Sequence, residues 1–226
     1  MATKSVREIR YSQAQAEAIK QEMELDSSVI IMGEDIAGGA GRAHLGIVDA
    51  WGGAFRTTKG LIQKFGPERV IDTPISEAGY IGMGIGAAMA GLRPIVELMF
   101  IDLLGVSMDQ IVNNAAKINY MFGGKVKLPL TILTRFGAGS RSGAQHAQAF
   151  YSIFTHIPGL KVVVPSDPYT AKGLLISAIR DDDPVVVADN RRFLNITGEV
   201  PEDIYTIPIG KSNILKQGED ITLIGV

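Results

Sequence analysis

The sequence predicts a three-layer α/β domain, with a mostly parallel sheet and helices on both faces. Three observations predict it. Short runs rich in Val, Ile and Leu recur along the chain and alternate with longer stretches of helical period. That alternation is what parallel strands joined by helical crossovers produce. Second, the stretch Asp72-Thr-Pro-Ile-Ser-Glu77 places an acid just past the end of one such run, and ligands of open α/β sheets bind at that end of the strands. Third, Ala78 to Gly91 is Gly or Ala at nearly every second position. Each Gly costs a helix about 1 kcal/mol relative to Ala. A helix this bare forms only where another backbone or a ligand comes close to it.

Taken in order, Tyr11–Leu25 reads as an amphipathic helix, with Ala14, Ala18, Met23 and Leu25 at helical spacing. Val29–Met32 is a short buried strand that ends in Gly33-Glu34-Asp35. Residues 37–60 are Gly-rich, hold His44 and the single Trp51, and read as a long loop of functional or interface character. Residues 57–65 give a short helix and residues 69–72 the central strand. Pro74 delays the next helix, Ser76 is its candidate N-cap, and Glu77 falls in its first turn. A strand follows at Arg93–Glu97, then a long helix over Leu103–Met121, stopped by Gly123 and Gly124. Leu128–Thr134 is a strand, and residues 135–144 form a loop of small residues leading to His146. Lys161–Pro165 is a buried strand. Asp167-Pro168 opens a helix that runs to Arg180, and Val185–Ala188 is the next strand. Residues 1–195 therefore form one domain. After Asn195 the Gly and Pro punctuation reads as a linker, and Asp220–Val226 reads as the first strand of a further domain.

Composition narrows the function. The 226 residues are 46% hydrophobic and 20% charged, with a net charge of −2. The basic residues are dispersed, which speaks against nucleic acid or an anionic membrane surface. The absence of cysteine excludes disulfides, zinc–thiolate sites and thiol catalysis. No apolar run reaches the ~20 residues of a membrane span, and residues 1–10 lack the apolar centre of a signal peptide. The expectation is a cytoplasmic protein.

Two simpler readings compete at the central stretch. Glu77 could merely complement the helix dipole, as first-turn acids often do. Residues 82–87 also match the GxGxxA dinucleotide fingerprint, which would make the chain a nucleotide-binding oxidoreductase; that fingerprint works only at a strand-to-helix turn.

Several motifs resemble one family. They are Gly33-Glu-Asp35, Asp72-Thr-Pro-Ile-Ser-Glu77, Gly91-Leu-Arg-Pro-Ile95, Ala144-Gln-His146, Pro158-Gly-Leu-Lys-Val-Val163, Ala171-Lys-Gly-Leu-Leu175, Ala178-Ile-Arg-Asp181 and Gly198-Glu-Val-Pro201. Together they resemble the beta subunit of the E1 component of 2-oxo acid dehydrogenase complexes, which are thiamine diphosphate enzymes. Gly105-Val-Ser-Met-Asp-Gln-Ile111, Tyr120-Met-Phe-Gly-Gly-Lys125 and Trp51-Gly-Gly53 are similar to the acetoin dehydrogenase branch.

The resemblance implies a pyrimidine-type thiamine diphosphate domain. It implies that Glu77 bonds N1′ of the aminopyrimidine and favours the imino tautomer that removes the thiazolium C2 proton. A carboxyl held out of water suits such a task. Glu34 is implied as a second acid of the cofactor pocket, with Ile75, Met99 and Leu103 lining the pyrimidine. His146 resembles the histidine that faces the covalent intermediate and hands it to lipoamide. The corner of Leu130, Ala178, Ile179, Asp181 and Asp183 resembles a potassium site of backbone carbonyls; its plain alternative is an acidic helix end. No GDG motif with a downstream Asn is present, so the magnesium of the diphosphate is implied to sit on an E1 alpha subunit. The partners implied are that alpha chain, in an alpha2beta2 heterotetramer, and the E2 lipoyl acyltransferase. The substrate would be acetoin, pyruvate or a branched-chain 2-oxo acid.

Three departures stand beside the resemblance. Leu103 and Leu104 replace frequent aromatics, Ala147 replaces a frequent Ser, and family members continue beyond the position of Val226. The chain is accordingly expected to be a truncated form. A non-catalytic domain that keeps the fold is the other alternative.

Overall fold

A computed structural model of the chain describes residues 6–37, 52–137 and 141–225. The expected loop residues His44 and Trp51 lie outside these. Six strands form one parallel sheet: β2 (Val29–Glu34), β3 (Val70–Thr73), β4 (Arg93–Leu98), β5 (Thr131–Phe136), β6 (Lys161–Val163) and β7 (Val185–Asn190), in the order β3-β2-β4-β5-β7-β6. β1 (Val6–Arg10) and β8 (Thr197–Pro201) pair antiparallel beside it.

Side chains alternate across each strand, so successive residues face opposite layers. Ile30, Met32, Val96, Leu98 and Ile132 pack under α3 (Glu77–Met89), α4 (Leu104–Asp109), α5 (Ile118–Met121) and α6 (Tyr151–Thr155). Ile31, Ile95, Leu133, Val185 and Val187 pack under α1 (Tyr11–Leu25), α2 (Leu61–Phe65) and α7 (Pro168–Arg180). This is the expected three-layer α/β architecture, with the sheet between two helical layers.

The same alternation puts three charged residues on the α1 face. Glu97, Arg135 and Asp189 share the parity of Ile95, Leu133 and Val187, and Arg135 stands directly opposite Asp189 in the β5–β7 register. Arg135 Nη1 donates to Glu97 at 2.7 Å, and its Nε lies 3.5 Å from Asp189. Tyr11 and Gln15 of α1 donate to Asp189 at 2.6 and 2.7 Å. All five residues are buried. Two carboxylates thus face one guanidinium, and burial holds the Asp189 carboxyl above its ordinary range although Arg135 pulls it down. Removing one partner of such a group typically costs about 3–5 kcal/mol, because it strands a buried charge. The network therefore specifies where α1 docks.

Several expected elements differ in the structure. α2 begins at Leu61, not at residue 57; Thr57 and Thr58 lie in a buried turn whose Thr58 N–H donates to Gly52 O at 3.1 Å. The long helix expected over residues 103–121 is broken: a 3₁₀ turn at Ile101–Leu103 leads into α4, a π-helical turn spans Gln110–Ala115, and α5 follows. There the Ala116 N–H reaches back five residues to Ile111 O. β5 runs on through Arg135 and Phe136, which were expected in a loop, because Glu97 and Asp189 neutralise the arginine inside the sheet. β6 is a half-buried edge strand of three residues. Residues 197–201, expected as linker, form β8 and bury Val200. The segment after β8 is tied down by Lys172 of α7: its buried ammonium is held by Glu17 at 2.6 Å and by the carbonyls of Pro201, Glu202 and Asp203. Residues 220–225 are not a buried strand. Ile221, Leu223 and Ile224 are exposed, and no described residue pairs with their backbone; a strand exists only by that pairing.

Candidate functional site

β2, β3 and β4 are adjacent in the sheet, and their carboxyl ends bring the predicted acids together. Glu34 closes β2 opposite Thr73 of β3. From Thr73 the chain turns through Pro74, Ile75 and Ser76 into α3, whose first residue is Glu77. Ser76 does not cap the helix with its side chain; its hydroxyl donates to Pro74 O at 3.3 Å instead. Glu77 is only 4% exposed, and no cation pairs with it among the described residues. A carboxylate that only complements a helix dipole would sit in water. This one is out of water, with the helix start as its compensation.

Its surroundings are acidic. Burial holds the Glu34 carboxyl above the usual range, and the charges of Asp35 and Glu77 add to the shift. Tyr80 lies one turn along α3 and is buried; burial pushes its phenol far above the ordinary value, reinforced by Glu77, Glu34 and Glu97. The Tyr80 and Thr73 hydroxyls are buried and make no hydrogen bond among the described residues. An unmet buried polar group costs about 1–3 kcal/mol. Unmet donors beside an unpaired carboxylate suit a polar, nitrogen-bearing ring.

Met99 is buried at the end of β4 and Leu103 half-buried in the 3₁₀ turn after it, whereas Ile75 is 76% exposed on the β3–α3 connection. All three lie on connections at the carboxyl ends of strands. His146 stands on the β5–α6 connection at the same end of the sheet. Its ring meets the Phe100 ring edge-on, with centroids 4.6 Å apart. Asp102 Oδ1 accepts from the backbone N–H groups of Ala147 and Gln148 at 3.1 and 3.0 Å. Arg191 Nη2 donates to the His146 carbonyl, and its guanidinium lies 5.0 Å from the Phe100 centroid. Tyr80, Phe100, Asp102 and Arg191 were not singled out from the sequence.

The glycines of the dinucleotide fingerprint lie well inside α3, past its first turn. Gly84 packs on Val96 of β4 and Gly82 faces Gln110, so neither stands at a strand-to-helix turn. The nucleotide reading loses its structural context.

The carbonyl corner lies at the opposite end of the sheet. Leu130 O accepts from Val185 N at 2.9 Å, Ala178 O from Asp181 N at 3.2 Å, and Arg93 Nη1 donates to the carbonyls of Ile179 and Asp181 at 3.2 and 3.0 Å. Lys161 pairs with the side chains of Asp181 and Asp183. A carbonyl oxygen keeps a second lone pair. The donor set thus retains room for a cation, against the repulsion of Arg93.

Among the described residues no helix is long and apolar enough to cross a membrane. The family model "Transketolase, pyrimidine binding domain" matches residues 7–196. The chain is 55% identical, over 97% of its length, to acetoin:2,6-dichlorophenolindophenol oxidoreductase subunit beta of Bacillus subtilis. It is 45% identical, over 92% of its length, to 2-oxoisovalerate dehydrogenase subunit beta of the same organism. It is 42% identical, over 96%, to pyruvate dehydrogenase E1 component subunit beta of Rickettsia bellii. It spans 64%, 60% and 63% of those relatives. A split-gene transketolase structure described as an inactive beta4 tetramer shares the fold, with a TM-score of 0.69 at 20% identity, over 94% of this chain and 60% of its own. The parallel sheet, the acids at its carboxyl end and these matches agree: the chain belongs to the transketolase pyrimidine-binding domain family.

Proposed function

We propose that the chain forms the pyrimidine half of a thiamine diphosphate site, as the beta subunit of an E1 enzyme. With an alpha chain, that enzyme cleaves acetoin or decarboxylates a 2-oxo acid and passes the product unit to lipoamide of an E2 acyltransferase. The observation that carries the reading is Glu77, a buried acid without a cationic partner at the start of α3. When bound, the cofactor would supply a nucleophilic carbon that adds to the substrate carbonyl. Glu77 would hold the aminopyrimidine at N1′ and keep a proton there. Glu34, Met99, Leu103 and Ile75 would line the ring, and the unmet hydroxyls of Tyr80 and Thr73 offer it further polar contacts. His146 would face the substrate-derived group.

Acetoin is favoured over the other substrates. Relatives named for acetoin are 55% and 56% identical, against 40–45% for those named for pyruvate and 2-oxoisovalerate. Magnesium is assigned to the alpha chain, because this sequence lacks the GDG-type diphosphate motif that would hold it. Potassium at the Leu130–Asp183 corner would add no chemistry; it would tie the end of α7 to β5. The domain is proposed to lie within residues 1–195, with β8 added as the strand that closes it against β1. A cytoplasmic location is part of the same reading.

The test is binding. Co-expressed with its alpha chain, the protein is expected to bind thiamine diphosphate with magnesium, and not NAD, in a calorimetric titration. Binding of NAD, or no heat from thiamine diphosphate with the alpha chain present, would contradict the reading.

A further inference from the structure

His146 lies in a connection without regular structure, yet it is held from three directions. Asp102 fixes the two amides that follow it. Arg191 holds its carbonyl. The Phe100 ring meets both the imidazole, edge-on, and the Arg191 guanidinium, so it touches the two of them at once. Among the described residues no side chain hydrogen-bonds the imidazole itself. Its orientation therefore depends on the aromatic contact, and that contact is backed by Arg191.

The room for this arrangement is built into the sheet. Asn190 ends β7 opposite Phe136 of β5, so Arg191 emerges beside Gly137. A Cβ on Gly137 would come within 2.6 Å of Arg191 Nε and 3.0 Å of Nη2. The absence of a side chain at Gly137 leaves the guanidinium its place. Meanwhile the Gly137 N–H donates to Gln148 O at 3.1 Å and ties the far side of the His146 connection to β5. A guanidinium suits both tasks at once: its face stacks on a ring while its edge donates to a carbonyl, which a lysine ammonium does not do.

We propose that Arg191 is a positioning residue for His146, acting on its backbone through the carbonyl and on its ring through Phe100. The inference rests on the proposed role of His146 in handing the product unit to lipoamide. Small displacements of such a group are costly: about 1 Å can lose roughly 100-fold in rate.

The test reads the imidazole directly. The chain has three histidines, and selectively labelled His gives a countable spectrum in which the His146 ring signal is assigned by its loss in His146→Gln. Arg191→Met is expected to move that signal towards free imidazole and leave His156 in place; Arg191→Lys should move it part of the way. Gly137→Ala, which crowds the guanidinium while keeping Arg191, Phe100 and Asp102 themselves, should move it too, and it carries the test if Arg191→Met does not fold. In the enzyme assembled with its alpha chain, Arg191→Met and Gly137→Ala should each lower transfer to a lipoyl domain by roughly 10- to 100-fold. A His146 signal unmoved by either substitution overturns the positioning role. If His146→Gln itself leaves lipoyl transfer intact, the role of His146 fails separately, while the spectrum still decides whether Arg191 positions the ring.

Discussion

Glu34, Glu77 and Glu97 all act on the phenol of Tyr80, and this crowding makes stability depend on pH at an identifiable residue. The Glu34 carboxyl is held above its ordinary value of 4.5, first by burial and then by Asp35 and Glu77. The folded state therefore binds that proton more tightly than the unfolded chain. The stability it contributes is full below the ordinary value and is lost as pH rises through the raised one. Asp26 and Asp182 work the other way: hydrogen bonds lower their values, so their contributions are present above the ordinary range and fade as pH falls. Comparing Glu34→Gln with the parent cancels those background groups. The variant should gain Tm relative to the parent as pH rises from 4 to 7.5 in thermal melts. A margin that shrinks over that interval would contradict the assignment. Glu34 and Glu77 were legible in the sequence because an acid at the end of an apolar run is visible in one dimension. Arg191 and Phe100 were not: they meet His146 only once β4, β5 and β7 are side by side. Ser76 is the N-cap residue its type suggests, but its hydroxyl donates to Pro74 O and makes no side-chain cap bond.

At the scale of the element, α3 has two kinds of glycine. A Cβ on Gly84 would lie 2.4 Å from Val96 Cγ2, and valine is stiff at χ1. Overpacking of that kind costs about 1–3 kcal/mol, which outweighs the helix-propensity gain of about 1 kcal/mol. Gly86 is exposed with nothing within 4 Å of its virtual Cβ, so there the gain stands alone. Urea denaturation of the free chain should show Gly84→Ala less stable than the parent by up to about 2 kcal/mol and Gly86→Ala more stable by about 0.5–1 kcal/mol. Shifts of the same sign would mean that α3 is not seated on β4 as described. Composition marked this helix as one in need of close company, but not which glycines provide it. Elsewhere the one-dimensional pattern ran out for definite reasons. Ile111, Ala115 and Ile118 keep a helical period that conceals the π turn among them. Arg135 reads as the start of a loop until Glu97 and Asp189 are seen beside it. Thr197–Pro201 is short and punctuated by glycine and proline, and only β1, nearly two hundred residues away, makes it a strand.

Over the whole molecule, the alternation of apolar runs and helical stretches was enough to predict the layered sheet, because each crossover is local. The site is less local: it is assembled from four strand ends, those of β2, β3, β4 and β5, and lacks a diphosphate motif in this sequence. Ile75, Met83 and Val106 are exposed apolar side chains in or beside α3 and α4, and Gly86 leaves part of α3 bare. These features support a proposed alpha partner that covers this side and completes the cofactor site. The central claim remains the buried acid at the start of α3. Glu77→Gln keeps the shape and a hydrogen bond but removes the negative charge that would hold a proton on the cofactor ring. If Glu77 were only a dipole partner, its loss would cost about 0.3–1 kcal/mol of stability and leave turnover nearly unchanged. The direct measurement is kcat of Glu77→Gln, with the full chain reconstituted with its alpha subunit, saturating thiamine diphosphate and magnesium, and an artificial electron acceptor. A fall of about 10²–10⁴-fold with folding and alpha-chain binding intact is the result expected of a positioned acid–base group; turnover within a few-fold of the parent would contradict the account.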